Sequence, residues 1–129
     1  MTHEEKVRAV FARYAEGDFS ASVSVLDPTV ALVVDTDIPD GGFFFGFDGV
    51  REYMTRFLEP WERLTLTAEE FESAGDTVVV KIRQDAVGRG SGAPAVLEYF
   101  HLWTFRGERV VHLEVTLSEQ RVRAVLGLR

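Results

Sequence analysis

The chain has 129 residues, 46% of them hydrophobic and 27% charged, as expected of one ordinary globular domain. Its net charge of −7 argues against nucleic acid or an anionic membrane as partner, since both need a basic face. It contains no cysteine, which excludes a disulfide framework and thiol chemistry; with no signal peptide visible and no bilayer-length apolar run, the expected location is cytoplasmic.

Thr2 and Glu5 form a capping box, and Val7, Val10, Phe11, Tyr14 and Ala15 follow at helical spacing. This first helix stops at Gly17. Asp18 caps a shorter second helix with Phe19, Ser22, Val25 and Leu26 inward, ended by Asp27-Pro28. Val30 to Val34 reads as a buried strand leading into Asp35-Thr36-Asp37. Ile38 to Gly42 is a loop and Phe43-Phe44-Phe45 a short strand, expected as a lid or wall at a pocket mouth or as a dimer patch. Asp48 opens a third helix with Val50, Tyr53, Met54, Phe57 and Leu58 in one stripe, stopped before Pro60.

From there the period changes from 3.6 to 2. Strands are expected over Arg63–Ser73 and Thr77–Val87, joined at Ala74-Gly75-Asp76. A glycine-rich connection, Gly88 to Gly92, leads into a hairpin from Leu97 to Leu117 that turns at Arg106-Gly107-Glu108. Its first strand puts Tyr99, His101, Trp103 and Phe105 on one face and Phe100, Leu102 and Thr104 on the other. One histidine within an aromatic row suggests an apolar chamber with a few polar groups in it. His112 and Glu114 fall on the opposite face, toward solvent or a dimer contact. Ser118 caps a last helix ending at Gly127. Helices followed by long antiparallel strands make an α+β domain. His3, His101 and His112 lack metal-ligand spacing, so no metal site is expected.

Four stretches carry a resemblance: Tyr14-Ala15-Glu16-Gly17-Asp18; Gly46-Phe47-Asp48-Gly49-Val50-Arg51-Glu52-Tyr53; Val80-Lys81-Ile82-Arg83-Gln84 before the Gly-Ser-Gly loop; and His101-Leu102-Trp103-Thr104-Phe105-Arg106-Gly107. Together they resemble the nuclear-transport-factor-2-like superfamily, in its SnoaL-like group. The resemblance implies a conical half-barrel of long curved antiparallel strands, three helices on the concave face and a short C-terminal helix. It also implies an apolar pocket and a homodimer packed through the sheet. The superfamily includes ketosteroid isomerase-like enzymes, polyketide cyclases, limonene epoxide hydrolase-like enzymes, dehydratases and non-catalytic members, so function must come from the site.

Ketosteroid isomerases use an Asp base with a Tyr and a protonated Asp as oxyanion donors. By resemblance Tyr14 and His101 fall at the donor positions and Asp37 at the base, with Asp35 beside it. A carboxylate in an apolar chamber gains basicity, and a phenol and an imidazole can donate to an enolate oxygen. The competing readings are Tyr14 as a core residue and Asp35 and Asp37 as turn residues. Arg83 and Asp85 resemble the Arg-x-Asp element of the epoxide hydrolase-like enzymes, or form an ion pair at the sheet rim. Those enzymes and the SnoaL-type cyclases also need an acid near the position of Val115, which this chain lacks. The expected pocket is lined by Phe11, Tyr14, Tyr53, Met54, Phe57, Trp61, His101 and Trp103 and takes a small lipophilic molecule. Two readings stay open: a cofactor-free isomerase, cyclase or dehydratase, and a non-catalytic binding or accessory module.

Overall fold

A computed structural model describes residues 1–128. The elements in order are α1 (His3–Ala15), a short 3-10 helix (Ala21–Ser24), β1 (Leu26–Val34), β2 (Gly42–Phe45), α2 (Gly46–Leu58), β3 (Trp61–Ala74), β4 (Thr77–Gly88), β5 (Pro94–Arg106), β6 (Arg109–Thr116) and α3 (Glu119–Val125). The six strands form one curled, unclosed sheet in the order β2-β1-β6-β5-β4-β3. Every pairing is antiparallel except β1 with β6, which is parallel, so the sheet is mixed rather than wholly antiparallel.

The capping box forms as expected: Glu5 N–H donates to Thr2 Oγ1 and Thr2 N–H to Glu5 Oε1. The N-terminus of α1 is pinned to the β5–β6 turn. His3 stacks on Phe105 at 4.1 Å, and Lys6 Nζ donates to the Glu108 carbonyl at 3.0 Å. The second helix shrinks to one 3-10 turn, because Asp18 takes the Ser20 amide and hydroxyl for itself. The first strand begins four residues earlier than expected, at Leu26, and runs through Pro28. Pro28 is tolerated there because β2 pairs only with Ala31–Val34 and the β1–β6 register shifts between Leu26 and Ala31, so that segment has a free edge.

The two faces of the sheet are unequal. The inner face meets α1 and α2 over one large core, with Trp103 wholly buried near its centre. On the outer face α3 covers only Val79, Leu102 and their neighbours, through Val122, Val125 and Leu126. One inner row crosses five strands, Phe71–Val80–His101–Val115–Val34. His101 is its single polar member.

Candidate ligand cavity beneath helix α2

Tyr14, on the last turn of α1, and His101, on β5, meet in a cavity of about 30 Å³ under α2, room for on the order of one water molecule. Ser22, Tyr53, Met54, Phe57 and Tyr99 also face it. It adjoins a larger cavity of about 280 Å³ at the open end of the cone, with which it shares Tyr53, Phe57, Tyr99 and Val115. This mouth is walled by Ile38, Pro39 and Asp40 from the β1–β2 loop, Pro60 and Trp61 at the entry to β3, and Ala95, Val96 and Leu97 at the start of β5.

Polar groups inside are few and each has a clear state. The Tyr99 hydroxyl donates to Gln84 Oε1 at 2.8 Å between two buried side chains on adjacent strands. Burial raises the Tyr99 phenol and lifts Tyr14 to about 12, with Ser22 the hydrogen-bonding neighbour of the Tyr14 hydroxyl. Tyr53 is likewise raised to about 12, first by burial and then by the negative charge of Asp40. His101 is lowered to about 3 by burial alone, so its ring is neutral at physiological pH. Its Nδ1 has no hydrogen-bond partner among the described residues, nor has Trp103 Nε1. A neutral imidazole with an unused nitrogen can accept from a ligand hydroxyl or donate to a carbonyl, according to tautomer.

The loop at the mouth is tightly wound. Asp35 Oδ1 accepts the Asp37 amide at 2.9 Å, the Asp35 carbonyl accepts Ile38 N–H, and the Ile38 carbonyl accepts Gly41 N–H. A Cβ on Gly41 would stand 2.2 Å from the Asp35 carbonyl oxygen, so only glycine fits. Asp40 takes φ 63°, a left-handed conformation that Asp tolerates better than most residues. The loop thereby holds Asp40 on the mouth wall, while Asp37 is exposed and Asp35 half-buried, with its other oxygen 3.4 Å from the Leu117 amide.

The expected site residues thus divide. Tyr14, His101, Tyr53, Met54, Phe57 and Trp61 line the two cavities, whereas Phe11 and Trp103 pack behind His101 at ring distances of 5.7 Å each. Asp35 and Asp37 lie outside both linings, and Asp35 Oδ1 accepts the Asp37 amide within the loop. Arg83 and Asp85 form a bidentate ion pair, at 3.0 and 3.2 Å, on the face of β4 opposite Gln84. Phe44 packs on Tyr53 at 5.2 Å, whereas Phe43 and Phe45 point outward and stay exposed. Sequence reasoning missed Asp40, Gln84 and Tyr99 as lining residues. Period two already placed Tyr99 beside His101 and left Gln84 between Arg83 and Asp85 on the inner face; nothing local singled out Asp40 among the loop acids.

The sequence matches the SnoaL-like domain family over residues 7–113. No curated protein matches it. Among solved structures, TerC crystallised with polyporic acid is 23% identical with TM-score 0.78, over 97% of this chain and 98% of that one. An NTF2-like protein from Burkholderia thailandensis is 23% identical with TM-score 0.82, over 98% of each chain. A protein of ketosteroid isomerase-like fold from Catenulispora acidiphila, in complex with trimethylamine, is 21% identical with TM-score 0.75, over 99% of this chain and 96% of that one. At such identities the likeness concerns the fold. The family match, spanning α1 through most of β6 and every wall of the cavities except the last strand positions, makes this chain a member of the SnoaL-like domain family.

Proposed function

We propose that the chain binds a small lipophilic ring compound in the mouth cavity, with a polar substituent directed at His101 or at the Tyr99–Gln84 pair. One observation carries this reading: an apolar cavity of about 280 Å³, close to the ~300–1,000 Å³ of ordinary small-molecule sites, shares Tyr53, Phe57, Tyr99 and Val115 with the small cavity that the buried imidazole of His101 lines. That TerC was crystallised with polyporic acid, and the Catenulispora protein with trimethylamine, supports small-molecule binding on this fold. A thermal-shift screen of ring ketones, aromatic polyketides, terpenoids and steroids tests it. A ligand at about 100 times its Kd adds about 2.7 kcal/mol, several degrees for a domain of this size. Flat curves across the library would remove the reading.

A second reading, cofactor-free proton transfer next to a carbonyl, is favoured by Asp40, a carboxylate on the wall of the same cavity. Asp40 would be the base and Tyr14 and His101 the donors, giving isomerisation, cyclisation or dehydration of the bound ring. Asp35 and Asp37, on the same loop, are the other two carboxylates available. The test is substitution: Asp40→Asn abolishes turnover of a bound ring ketone and spares its binding, whereas Asp37→Asn does neither. The homodimer implied by the family is supported by Phe43 and Phe45, 65% and 59% exposed on the outer face of the edge strand.

A further inference from the structure

The cavity beneath α2 has walls on two sides, and they differ. Toward the mouth stand the aromatic rings of Tyr53, Phe57 and Tyr99. On the far side stand Ser22, Val50 and Met54, and all three also line a second cleft, between the 3-10 helix and α2, of about 710 Å³. Phe19, Val23 and Leu58 extend that cleft as apolar surface, and Arg51 and Thr55 bring polar groups to it. Helix α2 rests mainly on β1 and β2, which leaves open space along both of its other flanks. The partition between the two spaces is therefore thin. It consists of a serine, a valine and a methionine, and methionine is unbranched, with three rotatable bonds that let it yield.

We infer that the mouth, the cavity beneath α2 and the far cleft form one passage, so that the ligand is elongated: a ring in the mouth with an alkyl or aryl extension threaded past His101 and Met54. This rests on the binding reading above and adds the shape of the ligand and a second exit. A second observation agrees with it. His101 lines the small cavity between the other two spaces, and its buried Nδ1 has no hydrogen-bond partner among the described residues; a carbonyl at the ring–chain junction of a threaded ligand would pass beside this imidazole. His101 is not among the walls of the mouth, so a ring held there reaches the imidazole only through a substituent that extends beneath α2.

The test is calorimetric titration with a series of n-alkyl phenyl ketones, from acetophenone to dodecanophenone. For a through passage, affinity rises by about fourfold per added methylene and keeps rising after the mouth is filled. Thr55→Trp places an indole in the far cleft from an exposed position on α2; Val23→Trp does so from the 3-10 helix and serves if the first variant unfolds. Either variant ends the rise at short chains, and Met54→Ala steepens it for long ones. Partition onto general apolar surface would ignore Thr55→Trp. If acetophenone binds but the rise stops at the same short chain in native protein and Thr55→Trp, or continues equally in both, the passage is overturned and the mouth site stands. If no member binds, both are overturned.

Discussion

Val115 stands directly across the β5–β6 ladder from His101, and both line the cavity beneath α2. Val80 flanks His101 on the other strand, so the imidazole sits between two aliphatic neighbours with no charge beside it. That is why burial is the sole cause of its lowered pKa, about 3. By the resemblance to epoxide hydrolase-like enzymes and SnoaL-type cyclases, the same valine falls where those enzymes are expected to hold an acid. Neither strand neighbour supplies a charge that would stabilise the imidazolium.

Restoring a carboxylate there reverses the state of the ring. Val115→Asp is expected to raise the His101 pKa by several units, because a carboxylate on the facing strand stabilises the imidazolium. It is also expected to cost about 2–4 kcal/mol of stability, since a charge is buried with only one partner. NMR titration of the imidazole and urea unfolding check the two effects. A histidine still unprotonated at pH 5 in the variant would show that the two side chains do not face each other.

The depressed pKa makes stability depend on pH with a definite sign. Between about 3 and 6.5 the unfolded chain protonates His101 and the folded chain does not, so stability rises with pH across that window and falls as pH drops from 6.5. The slope approaches about 1.4 kcal/mol per pH unit from this one group. His101→Leu removes it. Urea unfolding between pH 5 and 6.5 isolates the effect, because Glu5, Asp18 and Asp27, whose pKa values are lowered in the fold, are ionised there in both states. An unchanged slope in His101→Leu would mean that the ring is solvated.

The Tyr99–Gln84 hydrogen bond is a closed pair inside an apolar wall. Tyr99→Phe strips the buried Gln84 amide of this partner and is expected to cost about 1–3 kcal/mol, whereas Tyr99→Phe with Gln84→Leu costs less than the sum of the singles. A double-mutant cycle on unfolding free energies reads the coupling. Additive losses would show that the two groups are satisfied independently.

Phe43 and Phe45 give the proposed dimer its test. Phe43→Ser with Phe45→Ser leaves the core partner Phe44 in place, so the variant is expected to fold and to elute as a monomer, and the native chain is expected to elute as a dimer. Light scattering after size exclusion reads the mass directly. A native chain already monomeric at high concentration contradicts the interface.

What the sequence made legible followed from local rules. The Thr2–Glu5 box, the Ser118 cap and the alternation along β5 each depend on residues a few positions apart, and each is found in the structure. What it hid depends on partners distant in the chain. The parallel union of β1 with β6 joins segments some eighty residues apart, and Pro28 lies inside a strand only because the neighbouring edge is free. Likewise Asp35, Asp37 and Asp40 look alike in sequence. The loop hydrogen bonds and the Gly41 approach to Asp35 decide which of them reaches the cavity.

The most direct test of ligand binding in the mouth is to fill it. Ala95 lines that cavity at an exposed position near the start of β5, so Ala95→Trp occupies the space with little effect on the fold. Isothermal titration of the best compound from the screen is expected to show affinity lower by at least about tenfold in Ala95→Trp, with an unchanged melting temperature for the free protein. Undiminished binding in a variant that melts like the native chain would contradict the assignment and place the ligand elsewhere.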